Sequence, residues 1–172
     1  IPCAGVGVNV KPVSLISRIN YFGVLATLEG LKDHVGKRHG AMVLISSISA
    51  TMSQNGAYVE ALLAGDEEQA VALIDELAEG NEAYAGGKRA LTRWMRQHSA
   101  DYLAAGVRLN AIAPGYIATP LNEKIEADPT LRKVNQAFAA SIPVGRPGQP
   151  EDIAHAAAFL LDPNSSFIAG TV

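Results

Sequence analysis

The chain has 172 residues, of which 48% are apolar and 18% charged, and its net charge is −3. This length is that of one domain with a substantial core, which we expect to span residues 1–172. No cluster of Lys and Arg offers the charge that a nucleic-acid or anionic-membrane surface requires, so neither partner is expected. The single cysteine, Cys3, excludes an intrachain disulfide, and no cationic segment precedes an apolar run at the start. We therefore expect a cytoplasmic protein.

Residues 1–8 predict a short apolar strand that runs into a glycine turn. Gly5 and Gly7 could begin a dinucleotide-binding fingerprint, but Val10 stands in place of its third glycine. Pro12 follows where the helix of that fingerprint should open. The fingerprint is therefore rejected at this position.

Residues 13–37 predict an amphipathic helix with Asn20 in its interior. Asparagine is a poor interior helix residue, so Asn20 is either tolerated at the surface, which the spacing favours, or recruited for hydrogen bonding. Residues 41–47 form an apolar run that ends in Ser46 and Ser47, as in a buried parallel strand. Ligands bind beyond the carboxyl ends of such strands, so these hydroxyls lie where a site is expected. The apolar face of the helix is assigned to Leu15, Ile19, Phe22, Leu25, Ala26, Leu28, Leu31 and Val35.

Residues 57–79 are again helical, with residues 65–68 dividing them into two helices and placing acids at the second N-terminus. Asn81 is predicted to cap the next helix, which runs to about Ala105, and Gly106 ends it. The buried face of that helix is assigned to Ala83, Ala90, Leu91, Trp94, Met95 and Leu103.

A third strand is predicted over residues 107–113, followed by a rigid turn over residues 114–120. Pro150 opens the last helix, and Asp162 with Pro163 ends it. Strands and helices alternate along the chain, which indicates right-handed crossovers and an α/β fold with a parallel sheet.

Tyr84 and Lys88 lie four residues apart, so they project from nearly the same side of a helix. A neighbouring cation favours phenolate, and Lys88 is therefore expected to lower the pKa of Tyr84. A phenol with a lowered pKa can exchange a proton with an alcohol or a carbonyl. The same spacing is also common on surface helices, where it carries no chemistry.

Two other motif interpretations fail. The Gly-Gly-Lys segment before Arg89 is not a phosphate-binding loop, because Glu82 stands where a glycine is required and Arg89 replaces the hydroxyl residue. His34 and His39 do not share a helix face, and the chain has one cysteine, so no metal site is expected.

Taken in order, several short motifs resemble the classical short-chain dehydrogenases/reductases, and within them the bacterial 3α-hydroxysteroid dehydrogenase/carbonyl reductase group. The motifs are Ala4-Gly5, Asn20, Ile45-Ser46-Ser47, Tyr84-x-x-x-Lys88, Arg108-Leu-Asn-Ala-Ile-Ala-Pro114-Gly115, Gly145-Arg146 and Pro150-Glu151. The resemblance implies an α/β fold with a Rossmann-like parallel sheet and flanking helices. It also implies that the N-terminal half of this dinucleotide-binding fold is absent, since the glycine-rich turn of the family would precede Ile1. Cys3 stands where the family usually has asparagine.

Roles for four catalytic residues follow from the resemblance. Tyr84 would be the general acid/base, and Ser47 would donate a hydrogen bond to the same substrate oxygen. Lys88 would lower the pKa of the phenol and hold the nicotinamide ribose. Asn20 would hold a water molecule that links Lys88 to solvent. The implied cofactor contacts are Ala4, Gly5, Tyr84, Lys88, Pro114, Gly115, Ile117 and Thr119.

The function implied by the resemblance is NAD(P)-dependent interconversion of a secondary alcohol and a ketone, with a 3α-hydroxysteroid or another apolar carbonyl compound as substrate. The subgroup favours NAD over NADP. A homo-oligomer is expected, and residues 57–79 would lie near the subunit interface or over the active-site mouth. The alternative is a truncated or proteolysed fragment that folds and self-associates without turnover.

Overall fold

The computed structural model describes residues 1–53, 55–120, 132, 137, 139, 140 and 142–172. The first half contains helix α1 (Ser14–Ser17), a π-helical turn (Arg18–Phe22), α2 (Gly23–Gly36), strand β1 (Ala41–Ile45), a 3-10 turn (Ile48–Thr51), α3 (Gly56–Leu63) and α4 (Glu67–Leu77). The second half contains α5 (Gly80–Ala104), β2 (Arg108–Ile112), α6 (Pro150–Leu161) and a 3-10 turn (Pro163–Ser165).

Helix α1, the π-helical turn and α2 follow one another without a break, which confirms the helix predicted over residues 13–37. Asn20 lies in the π-helical turn and is 2% exposed, so the surface interpretation of this residue is wrong. Leu31 and Ala26 are exposed, and the predicted apolar face is wrong at both positions. The π-helical turn has a longer repeat than an α-helix and so rotates the residues after it away from the 3.6-residue pattern.

The two strands are parallel, with Ala41 opposite Arg108 and Ile45 opposite Ile112. This confirms the predicted α/β fold with a parallel sheet. The end of the chain lies beside β2, since the Gly170 amide donates to the Leu109 carbonyl of that strand over 2.8 Å. The middle of the sheet is the centre of the core, where Val43, Leu44 and Leu109 are fully buried.

Residues 1–8 do not form the predicted strand. The Val6 amide donates to the Asn20 side chain over 2.8 Å, and the Asn20 side chain donates to the Val6 carbonyl over 2.9 Å. Both backbone groups of Val6 are thereby engaged by one side chain, so they do not serve a β-ladder.

Helices α3 and α4 confirm the two helices predicted over residues 57–79, and Asp66 caps the second one through a hydrogen bond from the Gln69 amide. Helix α3 packs on α5, and α4 packs on α1. Asp75 accepts a hydrogen bond from the Ser14 amide over 2.9 Å, which fastens α4 to the start of α1. The segment therefore packs on α1 and α5, and its predicted placement near a subunit interface or over the active-site mouth stays a prediction.

Helix α5 begins at Gly80, with Glu79 in the cap position, so the prediction that Asn81 caps it is wrong. The Val8 carbonyl oxygen approaches Gly80 so closely that a Cβ there would overlap it. Glycine therefore occupies the first position, and the helix starts one residue before Asn81. Leu103 was also assigned wrongly, because it is half exposed while its neighbour Tyr102 is buried. The other residues predicted for the buried face are buried, namely Ala83, Ala90, Leu91, Trp94 and Met95.

The last helix, α6, begins at Pro150 and ends before Asp162, as predicted. Buried Arg108 donates hydrogen bonds to the carbonyls of Leu160 and Asp162 over 2.9 and 3.0 Å, and so binds the C-terminal end of α6 to β2. A cation at this end complements the helix dipole. Within the described parts of the chain, no helix has both the length and the apolar character needed to span a bilayer.

Candidate active site

The carboxyl end of β1 meets the first turns of α5, and here the Ser47 hydroxyl lies close enough to the Tyr84 phenol to favour its ionised form. Ser47 also accepts a hydrogen bond from the Ser49 amide over 3.2 Å, which caps the following 3-10 turn. The hydroxyl of Ser47 is thus held in place from one side and contacts the phenol on the other.

Burial raises the pKa of the Tyr84 phenol above its ordinary value of 10.0, while the hydrogen bond with Ser47 acts in the opposite direction. Desolvation disfavours the phenolate, and here it outweighs the hydrogen bond that favours it. The expectation of a lowered Tyr84 pKa is therefore wrong for this structure. Tyr84 consequently holds its proton at neutral pH.

Lys88 lies one turn further along α5 and is 8% exposed. Its ammonium donates to the Ile45 carbonyl at the end of β1 over 2.6 Å, and it lies 5.6 Å from the centroid of the Tyr84 ring. Burial lowers the pKa of Lys88 to about 8. The ammonium therefore remains mostly charged at neutral pH, beside both the strand end and the phenol.

The two serines that end the first strand have different partners. The Ser46 hydroxyl is buried and lies 2.6 Å from the hydroxyl of Thr92, which itself donates to the Lys88 carbonyl over 3.0 Å. Successive side chains of an extended chain point to opposite faces, so Ser46 contacts the body of α5 while Ser47 contacts its first turns. Thr92 had not been predicted, although its position four residues after Lys88 could have indicated it.

Asn20 lies in the π-helical turn and contacts the N-terminal segment at Gly5 and Val6. A Cβ at Gly5 would lie 3.3 Å from the Asn20 amide oxygen, so the approach is tight. Through its two hydrogen bonds with Val6, Asn20 positions the Ala4-Gly5 segment. Its role in holding a water molecule near Lys88 stays a prediction.

The loops after the two strands are joined, since the Ile48 amide donates to the Pro114 carbonyl over 3.0 Å. Beside this junction lies a groove of about 460 Å³. Apart from its chain neighbours, no atom of the described residues lies within 4 Å of the position that a Cβ of Gly115 would take. The groove is lined by Ile48, Gly115, Tyr116, Ile117, Ile142, Pro143, Val144, Arg146, Gly148 and Asp152.

A family model described as Enoyl-(Acyl carrier protein) reductase matches residues 70–172. The 3-alpha-hydroxysteroid dehydrogenase/carbonyl reductase of Comamonas testosteroni is 36% identical over 98% of this chain. The chain belongs to the short-chain dehydrogenase/reductase family. This confirms the resemblance, and it makes the protein a member of an oxidoreductase family.

A solved structure, the 3-alpha-hydroxysteroid dehydrogenase from Pseudomonas sp. B-0831 complexed with NADH, matches 99% of this short-chain dehydrogenase/reductase with a TM-score of 0.91 and 43% identity. A further relative, the inactive 2-(S)-hydroxypropyl-CoM dehydrogenase 2 of Xanthobacter autotrophicus, is 39% identical over 95% of the chain. The chain spans 66% of the Comamonas protein, 68% of the Pseudomonas structure and 62% of the Xanthobacter protein.

In this short-chain dehydrogenase/reductase, the fold brings Ser47, Tyr84 and Lys88 together at the carboxyl end of β1. Gly115 and Ile117 line the adjoining groove, whereas Thr119, two residues further on, is not among its lining residues. Besides Thr92, one further contact of α5 had not been predicted. Tyr58 of α3 packs its ring against Gly86, and the paired glycines before Lys88 were a signal for such a close contact.

Proposed function

We propose that this short-chain dehydrogenase/reductase interconverts a secondary alcohol and a ketone with a nicotinamide dinucleotide as cofactor. The observation that carries the proposal is that the Ser47 hydroxyl and the Tyr84 phenol lie side by side, with the buried ammonium of Lys88 5.6 Å from the centroid of the Tyr84 ring. These groups provide a proton donor, a second hydrogen-bond donor and a fixed positive charge within one small volume.

Tyr84 acts as the general acid/base. In the direction of ketone reduction, its protonated phenol donates the proton to the carbonyl oxygen, and in alcohol oxidation the phenolate accepts the proton of the hydroxyl. Ser47 donates a hydrogen bond to the same oxygen and stabilises the negative charge that develops there. At neutral pH the phenol is protonated, as ketone reduction requires, whereas alcohol oxidation requires the phenolate and should therefore become faster as pH rises.

The chain also offers groups that fit the nicotinamide end of the cofactor. The Lys88 ammonium has three N–H donors, and the Ile45 carbonyl accepts one of them over 2.6 Å, which leaves others for ribose hydroxyls. The nicotinamide ring is proposed to lie beside Gly115, near the end of β2, where a Cβ would meet no atom of the described residues other than its chain neighbours. When bound, the nicotinamide supplies or accepts the hydride. Further contacts are proposed for Ala4, Gly5, Pro114, Ile117 and Thr119, and Asn20 is proposed to hold a water molecule near Lys88.

The proposed substrate is an apolar alcohol or ketone, with 3α-hydroxysteroids as the first class to test. The groove beside the site supports this choice, because much of its lining is aliphatic, including Ile48, Ile142 and Val144. NAD is proposed in preference to NADP, because the related Pseudomonas structure is complexed with NADH. The names of that enzyme and of the Comamonas relative refer to 3-alpha-hydroxysteroids.

The test is an assay of the protein expressed from its complete reading frame, with a 3α-hydroxysteroid and NAD, in which NADH formation is followed by absorbance. Tyr84→Phe should lower kcat by about a hundredfold or more, since general acid–base catalysis typically contributes that much. A substituted protein that keeps over about a tenth of the original rate would contradict the role of Tyr84. A folded protein without turnover on any secondary alcohol would favour the alternative of a catalytically incompetent chain. The Xanthobacter relative, which is named as inactive, is an example of such a protein.

Self-association into a homo-oligomer is part of the proposal. The described surface includes two exposed aromatic side chains near the chain end, Phe159 at 60% and Phe167 at 100% exposure. These two side chains are proposed to contact a second subunit, which would remove them from water. A monomer at dilute concentration in sedimentation velocity would contradict this expectation.

A further inference from the structure

The mechanism above makes no use of helices α3 and α4, yet one side chain of α3 contacts both α1 and the helix that carries Tyr84 and Lys88. Tyr58 is fully buried. Its hydroxyl donates to the Ala83 carbonyl of α5 over 3.3 Å, and it lies 2.6 Å from the Ser17 hydroxyl of α1. A phenol has one proton, so Ser17 donates to Tyr58 while Tyr58 donates to Ala83. Ala83 immediately precedes Tyr84 in the chain.

The Tyr58 ring lies against the bare backbone of α5 between the tyrosine and the lysine of the site. A Cβ at Gly86 would lie 2.7 Å from two ring carbons of Tyr58, which is closer than packed carbon atoms allow. Gly86 lies two residues after Tyr84 and two before Lys88. The absence of a side chain at Gly86 therefore lets the ring contact the helix at the level of the site.

The N-terminal turn of α3 is itself fixed to the first turn of α5. The Asn55 side chain caps α3 by accepting a hydrogen bond from the backbone amide of Tyr58 over 3.0 Å. The backbone amide of Asn55 donates to the Glu82 carboxylate over 3.0 Å. The Ser53 hydroxyl also donates to Glu82. These bonds fix the start of α3, and with it Tyr58, against the residues of α5 that precede Tyr84.

The first turns of α5 have a particular need for such support. Glu79, in the cap position, provides no side-chain hydrogen bond to the helix N-terminus, where the first amides have no intrahelical partner. Gly86 and Gly87, in the helix interior, each weaken a helix by about 1 kcal/mol relative to alanine. Without an external contact, this part of the helix would be prone to fraying, and the Tyr84 hydroxyl would move relative to Ser47.

We propose that Tyr58 is a positioning residue, whose hydroxyl and ring hold the first turns of α5 so that Tyr84 stays against Ser47. The inference rests on the proposed function and assigns the α3–α4 segment the role of a brace for the site. Lys88 is anchored separately, by the Ile45 carbonyl and by the contact between Ser46 and Thr92. Loss of the brace should therefore disturb proton transfer more than cofactor binding.

The test is Tyr58→Phe in the protein from the complete reading frame, because this change keeps the ring on Gly86 and removes only the hydroxyl. We expect kcat to fall by about tenfold or more, since small misplacements of reacting groups slow catalysis by up to about a hundredfold. The KM for the dinucleotide should stay unchanged. Tyr102→Phe is the matched control, because Tyr102 is a buried tyrosine on the same helix whose hydroxyl has no hydrogen-bond partner among the described residues. Its kcat should equal that of the unsubstituted protein.

Each outcome has a distinct meaning. A Tyr58→Phe protein with a lower melting temperature and full kcat would overturn the proposal, because the residue would then be structural only. If the Tyr58→Phe protein fails to fold, Ser17→Ala is used instead, because it removes the hydroxyl that bonds to Tyr58. A lower kcat with an unchanged KM for the dinucleotide would support the proposal, and an unchanged kcat would overturn it. Tyr84→Phe belongs in the same series. Full activity in the Tyr84→Phe protein would refute the proposed function. If Tyr84→Phe abolishes activity but the Tyr58→Phe protein keeps full activity, only the proposed role of Tyr58 is refuted.

Discussion

The hydroxyls of Ser46 and Thr92 lie 2.6 Å apart and join the carboxyl end of β1 to the helix that carries Tyr84 and Lys88. Thr92 donates its one hydroxyl proton to the Lys88 carbonyl, so Ser46 donates to Thr92. A strand end and a helix are thereby held at fixed distance where the reacting groups meet.

Thr92→Val should destabilise the protein. It removes the hydrogen bond of 2.6 Å to the buried Ser46 hydroxyl, which among the described residues keeps only the Lys88 carbonyl at 3.4 Å, and the loss of one such bond costs about 1 kcal/mol. Thr27→Val is the control, since Thr27 makes the same kind of hydrogen bond within α2 but is exposed, and it should change stability by less than about 0.5 kcal/mol. Urea unfolding measures both free energies, and equal effects would contradict the role of the buried pair.

Gly86→Ala and Gly87→Ala should have opposite effects on stability. A Cβ at Gly86 meets the Tyr58 ring at 2.7 Å, whereas a Cβ at Gly87 meets only the Tyr58 hydroxyl at 4.0 Å. We expect Gly86→Ala to cost about 1–3 kcal/mol through overpacking. Gly87→Ala should gain up to about 1 kcal/mol from the higher helix propensity of alanine. Thermal unfolding compares the two, and a stabilising Gly86→Ala would show that the ring contact is loose.

Ser47→Ala should slow turnover and shift its pH dependence. The hydrogen bond with Ser47 lowers the pKa of Tyr84, so its loss raises that pKa further. Alcohol oxidation requires the phenolate to accept a proton, and the rise of kcat with pH should therefore occur at higher pH in the substituted protein. Ser49→Ala is a suitable control because only the amide of Ser49 bonds to Ser47. A pH profile that does not move would argue against the contact between Ser47 and Tyr84 during catalysis.

Lys88→Met should affect both cofactor binding and rate, because the ammonium is proposed to hold the ribose and to lie beside the phenol. KM for the dinucleotide should rise and kcat should fall, in contrast to the selective loss of kcat expected for Tyr58→Phe. Steady-state kinetics at several dinucleotide concentrations separates the two parameters. If Lys88→Met lowers kcat but leaves the KM for the dinucleotide unchanged, Lys88 does not hold the ribose.

The same substitution should change how stability depends on pH. Burial lowers the pKa of Lys88 from 10.5 to about 8 in the folded protein. Between these values the unfolded chain binds the proton and the folded chain does not, so the contribution of Lys88 to stability rises with pH. The stability of the unsubstituted protein relative to the Lys88→Met protein should therefore increase by about 1 kcal/mol per pH unit from about pH 8 to about pH 10. Urea unfolding at these pH values tests this, and a constant difference would mean that Lys88 is not desolvated.

The local patterns of the sequence determined the elements of the fold. Apolar runs and helical periodicity located β1, β2 and the paired helices α3 and α4, and the start and stop residues Pro150 and Pro163 located α6, because these signals depend only on neighbouring residues. The spacing of Tyr84 and Lys88 similarly predicted two side chains on one side of a helix. Such features are set by backbone geometry, so they could be read before any packing was known.

Only the tertiary structure decided which polar groups meet. Asn20 engages Val6, whose backbone is then not available for the predicted strand, and Tyr58 reaches α5 from a distant segment. The direction of the Tyr84 pKa shift was also decided there. Spacing indicated a nearby cation, but the pKa depends on how far the phenol is desolvated, and desolvation is a property of all the atoms packed around it rather than of its neighbours in the chain.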